Sequence, residues 1–74
     1  MDINKKVLLL GIYKKEKDES LNDIVIKLES NGLFNLKEGK RLLKDLKKEK
    51  LVSQSGISLK GEFQAKEVEN EFKL

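Results

Sequence analysis

The sequence predicts one mainly α-helical domain with a single small β-hairpin, in the order three helices, hairpin, last helix. Three observations carry this prediction. Each of four apolar-periodic segments follows a residue suited to capping a helix start, namely Asp2, Ser20, Asn35 and Ser58. The chain contains no proline to interrupt those segments. Between the third and fourth segments, two short runs flank the pair Ser55-Gly56, which fits a minimal hairpin.

The first helix is expected over residues 3–15. Ile3, Val7 and Leu10, with Leu9 beside them, recur at three- and four-residue spacing, and Lys5, Lys6, Lys14 and Lys15 lie off that stripe. The polar run 15–19 has nothing to bury and reads as a loop. Ser20 then offers its side-chain oxygen to a second helix over residues 21–30, which turns Leu21, Ile24, Val25 and Leu28 inward. Asn31-Gly32 stops that helix because both residues tolerate positive φ. Asn35 starts the third helix, over residues 36–49, with Glu38 at capping-box spacing and Leu36, Leu42, Leu43 and Leu46 as its apolar positions. Residues 51–54 and 56–58 form the hairpin. Ser58 caps the last helix, over residues 59–72. Its Phe63, Ala65, Val68 and Phe72 do not make one stripe, which leaves some of them for a partner.

Length and composition narrow the function. A chain of 74 residues makes one domain, residues 1–74, with one core, and removes only about 60% of its unfolded surface from water. With no cysteine there is no disulfide or thiolate-metal staple, and a reducing compartment suits it. No apolar run approaches the roughly 20 residues of a membrane span. Val7-Leu8-Leu9-Leu10 is too short for a signal-peptide apolar region. The expectation is a soluble, unprocessed, cytoplasmic protein that does not engage a membrane.

The absence of both histidine and cysteine removes Ser-His and Cys-His catalysis and the common zinc sets. Glycines at 11, 32, 39, 56 and 61 are scattered, so no phosphate cradle or dinucleotide fingerprint is formed. Asp18-Glu19 and the series Glu67, Glu69, Glu71 are the remaining candidates for acid-base or Mg²⁺ chemistry. Solvated charges on a loop and a helix face account for them without a pocket. The reading is a binding protein rather than an enzyme, with no catalytic residue, metal, cofactor or small-molecule ligand.

Charge is the feature with mechanistic content. The net charge is +3, yet residues 35–50 hold seven basic against three acidic residues, while residues 62–74 hold two against four. With Leu42, Leu43 and Leu46 inward, Lys37, Lys40, Arg41, Lys44 and Lys48 recur at helical spacing on the solvent side. Such a face attracts polyanions. A plainer reading is a solubilising face on which Glu38, Asp45 and Glu49 pair with lysines for a few tenths of a kcal/mol each.

Two stretches carry a family likeness. LLKDLKKEKLV, residues 42–52, resembles the recognition-helix exit of the winged helix-turn-helix DNA-binding domains of small bacterial and archaeal regulators. ISLKGEFQA, residues 57–65, resembles the segment written LTxKGxxxA that follows the wing in that family, with Ser58, Lys60, Gly61 and Ala65 in register. SLNDIVIKLES, residues 20–30, extends the likeness over nearly the whole chain. The resemblance implies a three-helix core, a minimal wing and a C-terminal helix, and a transcriptional regulator that lays its third helix in the major groove of double-stranded DNA. It puts Lys37, Lys40 and Arg41 near base edges, and Lys44 and Lys48 nearer phosphates. Arg41 is the best base reader, because its fork takes guanine O6 and N7 together, worth about 1–3 kcal/mol of discrimination. Ser20 and Asn22, at the start of the second helix, are placed to donate to a phosphate, although they look the same as caps.

A monomer reads too few base pairs for selectivity, so a homodimer is expected, with Phe63, Phe72 and Leu74 as its contact. Core packing against the first helix is an equal alternative for Phe63. The competing function is a winged-helix protein-interaction module whose lysines meet an acidic partner without reading DNA. Three features depart from the family pattern. Lys50 stands where glycine usually leaves the recognition helix, and Gly39 stands where a β-branched residue is usual. The wing tip, Gln54, Ser55 and Gly56, has no basic residue for a minor groove.

Overall fold

A computed structural model describes residues 2–73 of the chain. The elements are α1 (Ile3–Tyr13), α2 (Leu21–Ser30), α3 (Leu36–Lys48), β1 (Val52–Ser53), β2 (Gly56–Ile57) and α4 (Leu59–Phe72). The fold is mainly helical with one two-stranded antiparallel hairpin, in the order the sequence predicts.

All four helix starts use the expected caps. The Asp2 carboxylate accepts from the Asn4 N–H at 3.0 Å, the Asn35 side chain from Glu38 N–H at 2.8 Å and Ser58 Oγ from Gly61 N–H at 3.0 Å. At α2 the box closes in both directions, Ser20 Oγ accepting from Asp23 N–H and the Asp23 carboxylate from Ser20 N–H. Each cap is worth about 1 kcal/mol. At α3 only half of the box forms, because the Glu38 carboxylate turns to Arg41 instead.

α2 and α3 also end alike. Leu33 N–H reaches back to the Leu28 carbonyl and Gly32 N–H to Glu29; Leu51 N–H reaches Leu46 and Lys50 N–H reaches Lys47, all at 3.0–3.1 Å. This closure requires a left-handed residue just beyond the helix. Gly32 supplies it at φ +81°, without help from Asn31 at −84°. After α3, Lys50 supplies it at φ +63°. The chain therefore leaves α3 by the glycine-type route with a lysine, at a cost of about 1–2 kcal/mol.

α1 runs through the middle and packs on the other three helices and on β2. Its inward residues are Leu8, Leu9 and Ile12, fully buried against Ile24 and Val25 of α2, Leu42 and Leu46 of α3, Leu51, Val52, Phe34 and Ala65. The expected stripe of Ile3, Val7 and Leu10 is thus rotated: Ile3 is 57% exposed, and Val7 and Leu10 are half-buried. The run Val7–Leu10 is apolar all round, so periodicity alone does not choose its inward side. α1 also ends at Tyr13 rather than at residue 15. Leu36 is exposed rather than inward.

The hairpin is shorter than expected. Val52 pairs with Ile57 and Ser53 with Gly56, leaving Gln54-Ser55 as a two-residue tip. From there, Ser58-Leu59-Lys60-Gly61 locks the start of α4 onto the end of α3. Ser58 Oγ lies 2.7 Å from the Lys50 carbonyl and 2.9 Å from that of Leu51, and Lys60 Nζ lies 3.2 Å from the Glu49 carbonyl. A Cβ at Gly61 would sit 1.9 Å from the Leu51 carbonyl oxygen, so only glycine permits this approach. Gly39 has a parallel reason: a Cβ there would lie 2.5 Å from a Phe34 ring carbon and 2.8 Å from a Val25 methyl. The glycine inside α3 costs about 1 kcal/mol of helix propensity. In return α3 lies directly on α2 and the turn before it.

Candidate nucleic-acid interface

Among the described residues four lysines have a carboxylate within 4.0 Å, and Lys15, Lys17, Lys50, Lys60, Lys66 and Lys73 are without one, as are those of α3. The lysines at the ends of α1 reach carboxylates on other elements: Lys5 pairs with Glu49, Lys6 with Glu71 at 2.7 Å and Lys14 with Glu69 at 2.7 Å. Lys27 of α2 likewise holds Glu19 of the preceding loop at 2.7 Å. Lys14 draws the Glu69 carboxyl below its ordinary value of 4.5. Lys27, helped by the Glu16 N–H, does the same to Glu19, and Lys27 is itself pushed up by that hydrogen bond. Lys27 is exposed and the two carboxylates are half-buried at the surface, so these pairs contribute little stability each.

On α3 the pattern is different. Among the described residues, Lys37, Lys40, Lys44, Lys47 and Lys48 have no carboxylate within 4.0 Å. Arg41 alone is engaged, with Glu38 and Asp45 of its own helix, each at 3.5 Å.

The helical rotation of about 100° per residue sorts these side chains. Gly39, Leu42 and Leu46 are buried. Opposite them stand Lys37, Lys44 and Lys48. One flank carries the acids with Arg41, where Asn35, Lys37, Glu38 and Arg41 line a shallow hollow of about 280 Å³. The other flank carries Leu36, Lys40, Leu43 and Lys47. It borders an open groove of about 490 Å³, walled by Leu43 and Lys47 of α3, by Ser20, Leu21 and Asn22 at the start of α2, by Lys15, Lys17 and Glu19 of the loop, and by the hairpin tip Gln54-Ser55.

The structure therefore brings Ser20 and Asn22 to the groove, sets Lys40 exposed on the flank that borders it and leaves Lys44 and Lys48 exposed on the side opposite the core. It places Lys37 on the outermost side and Arg41 on the acid-bearing flank. Sequence reasoning missed Lys47, Lys15, Lys17, Gln54 and Ser55. Lys47 belongs to the same basic run and was recoverable by following the rotation of α3 past its outermost side. The loop and hairpin residues have no periodicity to announce them. Of the residues expected at a subunit contact, Phe63 is 65% exposed, which rules out its alternative role in the core, and Phe72 is 41% exposed. Leu74 lies outside the described residues.

Among the described residues, no group of three or more His, Cys, Asp or Glu side chains gathers to hold a metal ion, and no helix is long and apolar enough to cross a membrane. Compared with protein-family models, with curated proteins and with solved structures, the chain matches none of them.

Proposed function

We propose that this protein is a winged helix-turn-helix protein of the cytoplasm that binds double-stranded DNA as a small transcriptional regulator, using the solvent side of α3 and the groove beside it. The observation that carries the reading is the gathering on one helix of five lysines that have no carboxylate partner among the described residues, whereas Lys5, Lys6 and Lys14 around α1 are paired. Lys40, Lys44 and Lys48 follow one another at four-residue spacing, where like charges repel by a few tenths of a kcal/mol per pair. A polyanion relieves that repulsion, and counterion release from DNA adds to the gain.

The chemistry favours a duplex over a single strand. Single-strand binders stack bases on aromatic rings. Here Tyr13 and Phe34 pack with the core, and Phe63 and Phe72 belong to α4. What α3 offers is a convex basic rod about 10–12 Å across, which suits a major groove about 12 Å wide. Lys37, Lys44 and Lys48 extend furthest towards it. Lys40 and Lys47, with Ser20, Asn22, Gln54 and Ser55, meet the phosphates of the strand that lies along the groove of the protein. Arg41 reaches a guanine only by leaving Glu38 and Asp45, so phosphate contacts outweigh base readout.

Fluorescence anisotropy of a labelled random-sequence duplex tests the reading. About four neutralised phosphates give a log-log salt slope near −3.6. The triple variant Lys40→Glu, Lys44→Glu, Lys47→Glu loses the binding while keeping its thermal transition. A wild-type protein that leaves the duplex free at low salt overturns the proposal, and assigns the face to an acidic protein partner.

A further inference from the structure

Among the described residues, Leu59 and Phe63 are the most exposed large apolar side chains, at 72% and 65%. Neither is exposed by fraying, since both lie in the first half of a capped helix whose Gly61, Ala65 and Val68 are buried on the opposite side. Their spacing continues through Lys66 and Asn70 at the four-three-four interval of a helix-helix seam. The charges beside that seam are of both signs. Glu62 stands on one side, next to the seam's own Lys66, and Lys60 and Glu67 stand on the other. Among the described residues, none of Glu62, Lys66 and Glu67 has a salt-bridge partner.

We propose that this outer side of α4 is a self-association surface, on which the α4 of a second copy of the chain lies antiparallel across a two-fold axis. An antiparallel neighbour sets the start of the seam against the end of the seam on the other copy. Glu62 then faces the partner's Lys66, and Lys60, whose ammonium has donors to spare beyond the one on the Glu49 carbonyl, faces the partner's Glu67, each pair occurring twice. The pairs surround a centre in which the Phe63 rings of the two copies cover each other, with Leu59 of each copy lying between the partner's Lys66 and Asn70. A partner of single charge sign would leave half of these groups opposed by like charges, whereas a second copy matches them all. The apolar centre is small against the roughly 800 Å² per subunit of a stable interface, so the dimer is weak and concentration-dependent. Because α4 lies on α1 with this side turned outward, the α3 lysines stay uncovered.

The proposal stands apart from DNA binding and is tested without DNA, by sedimentation equilibrium of the full chain from about 10 µM to about 1 mM. The wild type passes from monomer to dimer across that range. Phe63→Glu stays monomeric throughout and keeps its thermal midpoint, since the side chain is exposed. Glu62→Lys and Lys66→Glu each weaken the dimer about tenfold, and the doubly exchanged variant recovers the wild-type constant because the pair is restored with its signs reversed. A wild type that is monomeric at the highest concentration, a Phe63→Glu variant that still dimerises, or a double exchange that fails to recover overturns the proposal.

Discussion

The α1–α4 side and the α3 side of this molecule are both dense in charge, and they handle it in opposite ways. On the first, Lys6 and Lys14 of the α1 region close on Glu71 and Glu69 of α4, and Lys5 closes on Glu49. These charges are consumed within the fold, and the acidic Glu69 and Glu71 of α4 are fastened to the lysines around α1. On the second, five lysines stand along one helix, from Lys37 to Lys48, without a carboxylate partner among the described residues. Packing explains the first arrangement. It does not explain the second, since a helix with Leu42 and Leu46 buried would tolerate acids at positions 37, 40 and 44, and only Lys47 and Lys48 suit the carbonyl end of α3. The contrast separates charges that serve the fold from charges that await something outside it.

The largest blow to the first side is Gly61→Ala. The added methyl meets a backbone carbonyl that cannot move without undoing the α3–α4 junction, so urea denaturation should show a loss of about 3 kcal/mol or more. At the junction itself, Lys50→Gly relieves a left-handed lysine and should raise stability by about 1 kcal/mol. A smaller and more diagnostic pair contrasts the two sides directly. Lys14→Glu replaces an attraction to Glu69 with a repulsion and should lower the unfolding free energy slightly but measurably. Lys44→Glu, between Lys40 and Lys48, should leave it unchanged or raise it by a few tenths. If both substitutions destabilise equally, the distinction between the two sides fails.

The smallest effect is of pH. Glu69 and Glu19 have folded values below their ordinary 4.5, each through a lysine hydrogen bond first. Their stabilisation is complete above that ordinary value and is lost as pH falls through it and then through the lower folded value. Thermal melts taken between about pH 6 and about pH 3 should show a modest fall in Tm, and Lys14→Ala should remove part of it.

Much of this was legible beforehand, and the gaps have physical causes. Cap chemistry is local: Asp2, Ser20, Asn35 and Ser58 each found the N–H two or three residues on, so the helix starts were sound. The inward side of α1 was not readable, because Val7 to Leu10 is apolar in every direction and only contact with three other helices decides between them. Gly39 and Gly61 stood out in the sequence, yet their reason, a close approach to Phe34, Val25 and Leu51, is long-range. Lys37, Lys40, Arg41, Lys44 and Lys48 were found as a basic set from spacing alone. That Arg41 has two carboxylates beside it and that Lys47 borders the groove depends on which flank of α3 faces α2 and the hairpin tip, which spacing does not specify.

The most direct test sets two charge reversals side by side in the duplex-anisotropy assay, with a thermal melt of each. Lys6→Glu with Lys14→Glu alters the fold-serving group; Lys40→Glu, Lys44→Glu and Lys47→Glu alter the free one. The account predicts that the first variant melts earlier and keeps its affinity within about threefold, while the second melts as the wild type does and loses affinity by about a hundredfold or more. Equal losses of affinity in the two variants, or an unimpaired second variant, would contradict it.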